Sequence, residues 1–544
     1  MIKRSFLILI LILGVKGLTA QNSFTDIEKI AVFAKVYGFL KYYHPSVASG
    51  KFNWDQVFID ELPKMLKNDD TESLSNYYSQ WIESLGEVNP CETCNNEKEL
   101  FEKNFDLSWT QNSTVFNSKV KSQLKFIEEN RYQGDLHYVT TQSVGQIRVI
   151  NEPEYTDFQY PSETYRLLGF IKYWNIIEYF FPYKHLTDKH WDAVLFESID
   201  KFKTAPDQET YRNAIRELVA SLDDSHAQII FDPSKRNYLP IKLSHIENQA
   251  VITGFYNETL AEAANLKVGD VISEINGRAL QQDREKFTRF YSGSNPISKA
   301  EGYYLYTILR GDVESVEMTI KRGKETVKTS VMRVNRKDLL AETKKEIIKS
   351  KVINDDIGYM DMANIKAQDV SAILDNLRNK KAIIIDIRNY PEFIYMPISR
   401  YLNSSRKAFA TTYRPYLKYP GKFLPPRTIS TRGTSNNYKG KVIILVNSET
   451  VSRAEFTAMA FQTADNTITV GSQTTGADGD VLGFNYLGGY LTTMSGNGIE
   501  YPDGTETQRK GVKIDVLVER TIAGVRNGKD EILEKAIAIA SKEN

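Results

Sequence analysis

The sequence is short of cysteine, of net charge and of long apolar runs, and each shortage excludes something. Its two cysteines, Cys91 and Cys94 in Asn-Pro-Cys-Glu-Thr-Cys, do not supply a zinc ligand set, which needs a second pair, and no thioredoxin-like strand and helix surround them. A short-loop disulfide formed in an oxidising compartment is the simplest reading. Lys plus Arg number 69, as do Asp plus Glu, so no net field draws the chain toward nucleic acid or an anionic membrane. No metal or organic cofactor is implied. Past the N-terminus, no apolar stretch approaches the ~20 residues that span a bilayer.

What is present begins with a secretory pattern: Lys3 and Arg4, an apolar run from Phe6 to Val15, then Leu18-Thr19-Ala20 before Gln21. Cleavage after Ala20 and export to the periplasm or the extracellular space are expected. The run is too short for an uncleaved anchor, and no Cys stands at the cleavage point to take a lipid. At 544 residues the chain exceeds one hydrophobic core and should hold about three domains.

An internal repeat organises the first 230 or so residues. One copy runs from Phe33 to His44-Pro45, then Asn53-Trp54-Asp55 and an apolar-periodic helix to Leu66. The other runs from Leu168 to Phe181-Pro182, then His190-Trp191-Asp192 and a similar helix to Phe202. Each reads as helix, Pro-terminated loop and helix, with aromatics forming a packed face rather than a ligand box. Only the second copy continues into Ser221-Leu-Asp-Asp-Ser-His-Ala-Gln-Ile-Ile230.

From Tyr238 the pattern changes to short strands at 241–243, 250–255, 271–275 and 316–321. Among them lies Ala261-Glu-Ala-Ala-Asn-Leu-Lys-Val-Gly-Asp-Val-Ile-Ser-Glu-Ile-Asn-Gly-Arg278, which resembles a PDZ domain in its helix, Gly-Asp turn and strand ending in Asn-Gly. That resemblance implies a groove that takes an extended peptide as an added strand. Leu239 and Ile241 would then be peptide-binding, at the carboxylate-loop position, although the usual glycines are missing there. The bland alternative is a domain that only spaces or regulates. The last third alternates strands at 357–362, 382–387, 442–446 and 467–470 with helices at 367–379 and 453–464, the pattern of an α/β layer with buried parallel strands.

In that last third, Val442-Ile-Ile-Leu-Val-Asn447 followed by Ser448-Glu-Thr-Val-Ser452-Arg-Ala-Glu455 reads as strand, turn and helix start. A serine there is, taken alone, simply an N-cap. The same place also suits a nucleophile, because orphan N–H groups and the helix dipole favour developing negative charge. The strand-Asn-x-x-x-x-Ser-x-Ala-Glu-helix pattern resembles the serine peptidases of the C-terminal-processing and tricorn-core family. Ile357-Gly-Tyr-Met-Asp361, Ile383-Ile-Ile-Asp-Ile-Arg-Asn389 and Gly511-Val-Lys-Ile-Asp515 line up in the family's order.

The resemblance implies a multidomain α/β hydrolase with a helical N-terminal region, a PDZ-like β-rich insert and an α/β peptidase core, acting on polypeptides. The expected segments are 1–20 (signal), 21–160 (helical, first copy), 161–236 (second copy with Ser-His), 237–336 (PDZ-like), 337–525 (core) and 526–544 (C-terminal helix). Ser452 becomes the nucleophile. The family's lysine base is missing, since Ala477 stands at its position, so the Ser/His/Ser/Glu variant applies, with His226 as base and Ser225 beside it. An unperturbed imidazole accepts a proton at neutral pH. The fourth member falls in 500–511, where Glu506 comes first, Asp503 second, and Gln508 fills another register. The Arg453 N–H would face the oxyanion. The family's Gly-Gly pair after Asp386-Ile-Arg-Asn389 is replaced by Tyr390-Pro-Glu-Phe393, so Glu392 or a neighbour must give the second donor, Pro391 having none. The alternatives are a catalytically inactive peptide-binding homologue and an esterase on the same scaffold.

Overall fold

Two long helices, α1 (Asp26–Tyr43) and its counterpart α3 (Glu163–Phe180), are apolar around most of their circumference and are wrapped on all sides. The architecture is that of a computed structural model, which describes residues 23–94, 100–101, 103, 105–142, 145–232, 237–340 and 348–542. The expected signal segment lies outside these residues. Thr25 opens α1 as a capping box: its Oγ accepts from Glu28 N at 3.3 Å, and the Glu28 carboxylate accepts from Thr25 N at 2.8 Å. The helix ends at Tyr43, and His44, the residue before Pro45, is already extended, as the proline ring favours. Each long helix is followed by a Trp-initiated helix, α2 (Trp54–Met65) and α4 (Trp191–Thr204).

The two copies pack across a local pseudo-twofold. Trp54 Nε1 donates to Tyr37 O at 3.2 Å, and at the matching positions Trp191 Nε1 donates to Trp174 O at 3.1 Å. Between the copies the lysines are exchanged: Lys172 reaches Asp55 at 2.8 Å and Lys35 reaches Asp192 at 2.7 Å. At the crossing Gly38 faces Asn175, and a Cβ on Gly38 would fall 1.7 Å from Asn175 Oδ1. Cys91 and Cys94 are disulfide-bonded.

Helix α5 (Gln208–Ala220) leads through the Ser-His segment into strand β1 (Gln228–Ile230). The insert that follows is an antiparallel sheet of β2 (Ile241–Ile246), β3 (Gln249–Phe255), β4 (Val271–Ile275), β5 (Ser315–Arg322) and β6 (Glu325–Met332), in order β6-β5-β4-β3-β2, with helix α6 (Pro296–Tyr303) beside β2. The core sheet comprises β7 (Ser350–Val352), β8 (Ile357–Asp361), β9 (Ala382–Asp386), β10 (Lys441–Val446), then helix α7 (Arg453–Phe461), and β11 (Thr467–Gly471). A small sheet is formed by β12 (Val481–Tyr486) and β13 (Tyr490–Ser495) with β1, and β14 (Val516–Leu517) closes the core, ordered β7-β8-β9-β10-β11-β14.

From β8 to β14 the core strands are parallel, and β7 is an antiparallel edge. Being covered on both faces, they are near-continuous apolar runs. Ile383, Ile385, Ile444 and Val446 enter one core, whereas Ile384, Ile443 and Leu445 enter another, capped by Ile532 and Ala536 of helix α8 (Glu531–Ala540). The carboxyl ends of β9 and β10 therefore open side by side, as the register Asp386↔Leu445 requires.

Candidate active site

Ser452 stands between β10 and α7 with φ 55° and ψ −117°, a left-handed backbone that a residue with a side chain adopts at a cost of about 1–3 kcal/mol. The surrounding turn over-determines it. Thr450 Oγ1 accepts from Asn447 N at 3.2 Å and donates to Ile387 O at 2.8 Å, tying the turn to the end of β9. One turn into the helix, the buried Glu455 carboxylate accepts from Ser452 N at 3.1 Å, Thr474 Oγ1 at 2.5 Å, Gly476 N at 2.7 Å and Ala477 N at 3.0 Å. Burial pushes this carboxyl up, and those donors pull it back. Glu455 thus joins the elbow to the 474–477 loop, and Ala477, at the lysine position, gives only its N–H. No acceptor for the Arg453 N–H is found among the described residues.

His226 is set by a local turn and a distant strand. Asp224 Oδ1 accepts from His226 N at 3.1 Å, and Asp224 O from Ala227 N at 2.9 Å. Beyond the turn, β1 pairs with β13 in the register Gln228↔Thr493, which carries Ser495 next to the ring. His226 Nδ1 lies 2.9 Å from Ser495 Oγ, and Ser495 Oγ lies 3.1 Å from Asp224 Oδ1. Asp224 is fully buried and also accepts from Ser495 N at 2.8 Å and Gln508 Nε2 at 3.1 Å. A carboxylate only accepts, so the Ser495 hydroxyl donates to it and its oxygen is left to accept from Nδ1–H. Burial lowers the imidazole's pKa from its ordinary value, and the Asp224 and Asp480 charges oppose the shift.

Several expected partners lie elsewhere. Ser225 is engaged with Ser294: each backbone N–H donates to the other's hydroxyl at 2.9 Å. Glu506 pairs with His185 at 2.9 Å and with Lys103, and Asp503 with Lys513 at 2.9 Å on the surface. Among the described residues none of these three hydrogen-bonds to the imidazole, because the 500–511 loop presents Gln508, not Glu506, to the buried aspartate. Leu239 and Ile241 are 1% and 0% exposed inside the insert's core, so their side chains have no face to offer a peptide. Glu392 is exposed, and its O accepts from Ile394 N at 2.8 Å. Asp224, Ser495 and Glu455 were not anticipated in these roles. Asp224 sits inside the Asp-Asp-Ser-His stretch and Glu455 inside the Ser-x-Ala-Glu pattern, whereas Ser495 carries no local signal.

One cleft of about 820 Å³ joins the three parts of the molecule. Its walls include Ser225 and Ala227 on either side of His226, strand β1, Val451 just before Ser452, and Tyr306 and Arg310 of the insert. The insert grips the elbow through Glu301 of α6, whose carboxylate accepts from Ser448 Oγ at 3.0 Å and His245 N at 3.3 Å. Burial pushes that carboxyl up to about 7.

Residues 356–518 match the model of peptidase family S41, a family of serine-type peptidases. The match spans Ser452 and Glu455 but not His226. Among solved structures, mature CPAF complexed with lactacystin is similar at 13% identity and a TM-score of 0.55, over 70% of this chain and 98% of that one. At that identity the likeness concerns the fold. Looser likenesses are to the photosystem II D1 C-terminal processing protease (17% identity, TM-score 0.42, 65% and 93% coverage) and to a putative peptidase from Parabacteroides merdae (15%, 0.44, 71% and 98%). No curated protein matches the chain in sequence. No helix among the described residues is long and apolar enough to cross a membrane.

Proposed function

We propose that the chain is an exported endopeptidase that cleaves polypeptides through an acyl-enzyme on Ser452, with His226 as general base and then acid. The observation that carries this reading is the direction of the Asp224–Ser495–His226 chain. With Nδ1–H donated to Ser495, the lone pair is on Nε2, the nitrogen free to take the Ser452 proton. Ser495 and Asp224 orient the ring and stabilise the imidazolium, the work expected of Ser225 and Glu506. Ser452 Oγ attacks the carbonyl carbon, and the oxyanion forms at the start of α7, where the Arg453 N–H and the helix dipole meet it. Nε2–H then protonates the departing amine, and water repeats the sequence on the ester.

The signal pattern and the disulfide support export to an oxidising compartment. The PDZ resemblance supports a role for the insert in presenting substrate through its backbone, since Leu239 and Ile241 are buried.

A fluorophosphonate should label the wild type and leave Ser452→Ala and His226→Ala unlabelled. An unlabelled wild type that still binds peptide would favour an inactive homologue, the reading that Tyr390-Pro391 in place of the glycine pair supports. Comparing peptide with ester turnover decides between amide and ester as the preferred bond.

A further inference from the structure

An oxyanion hole needs a second donor, and the segment that would give it here is built unlike a glycine turn. Its N-terminal side is fixed, with Asn389 Nδ2 donating to Asp361 Oδ1 at 3.0 Å, and on its C-terminal side Ile394 is buried. Between them Tyr390 and Phe393 are 52% and 64% exposed, so core burial does not hold them. Among the described residues the N–H groups of Tyr390, Glu392 and Phe393 have no acceptor. A stretch with free donors and exposed side chains would wander unless something tethers it.

The tether in place is the side chain next to the nucleophile. The Arg453 guanidinium lies 5.1 Å from the Tyr390 ring centre and 5.9 Å from that of Phe393, and Nη1 donates to Pro391 O at 3.4 Å. Phe393 in turn stacks on Phe456 of the same helix at 6.1 Å. Arg453 has no carboxylate partner among the described residues, so its charge is directed to these rings and that carbonyl. A planar guanidinium can stack on two rings while donating at its edge, which an ammonium cannot.

We propose that the Arg453 side chain is a positioning residue: it clamps Tyr390–Phe393 against the start of α7 so that a main-chain N–H of that segment reaches the oxyanion, replacing a glycine pair. One residue then organises both donors, its own N–H on the helix and the second through its side chain. The inference rests on Ser452 being the nucleophile.

The test combines peptide kinetics, the second-order rate of fluorophosphonate labelling, and affinity for a peptide boronate that mimics the tetrahedral state. In Arg453→Ala, kcat and the labelling rate should fall about 10- to 100-fold, with KM within about threefold, and boronate affinity should fall in parallel with kcat/KM. Arg453→Lys should lie between, keeping the charge without the plane. Tyr390→Leu/Phe393→Leu, at exposed positions, should reproduce the loss with Arg453 intact, and it decides the matter if Arg453→Ala does not fold. The proposal is overturned if kcat and labelling are unchanged in these variants, or if KM alone rises, because Arg453 would then be touching substrate. An unlabelled wild type refutes the Ser452 reading itself; a labelled wild type with indifferent variants refutes only the clamp.

Discussion

Deleting one hydroxyl, in Ser495→Ala, separates the orienting network assigned here from the one the family resemblance implies. The Ser495 oxygen is the acceptor 2.9 Å from His226 Nδ1, and its hydrogen is spent on Asp224 at 3.1 Å. With a methyl in its place, Nδ1–H faces no acceptor in a buried site, at a cost of about 1–3 kcal/mol. The ring escapes that cost by moving its proton to Nε2, the tautomer that cannot accept from Ser452. Since about 1.4 kcal/mol is tenfold in rate, kcat/KM on a peptide should fall about 10- to 100-fold. Asp224 keeps the donors His226 N, Ser495 N and Gln508 Nε2, so the fold should survive. Ser225→Ala and Glu506→Gln, whose contacts are Ser294 in one case and His185 with Lys103 in the other, should stay within about threefold of wild type. Full activity in Ser495→Ala, or a larger loss in Ser225→Ala, would refute the reasoning.

The buried His226 has its pKa lowered, so it stays neutral to more acid pH than a free imidazole and the acid limb of kcat/KM should lie below ~6.5. Asp480→Asn removes a charge that favours the imidazolium and should move that limb further toward acid; a limb at or above the free value would count against His226 as the base. In the repeat domain, Lys172→Met leaves Asp55 buried without its cation, and urea unfolding should show a loss of about 3–5 kcal/mol. Lys35→Met breaks the matching pair, whose Asp192 is 40% exposed, and should cost about 0–1 kcal/mol; equal losses would sink the distinction.

Much of the architecture was legible because its signals are local. The strands expected at 357–362, 382–387, 442–446 and 467–470 are β8 to β11 to within a residue or so, since strands buried on both faces must be apolar throughout. The repeat was visible as spaced aromatics and Trp-Asp pairs. That its lysines cross between copies was not, because Lys35 and Lys172 each find an aspartate of the other copy only when α1 and α3 pack together.

The elbow is legible within a short window: a buried strand, a turn and a helix start put Ser452 at a place suited to an oxyanion, and those preferences act within about ten residues. Beyond the neighbouring Asp224, what stands around His226 follows from tertiary structure. Ser495 lies 269 positions away and arrives only through the pairing of β1 with β13, while Glu506, the nearer match to a family pattern, is drawn to Lys103 and His185. Residue type says what a side chain can donate or accept; strand register and loop path decide which groups it meets, and neither is encoded within a short window.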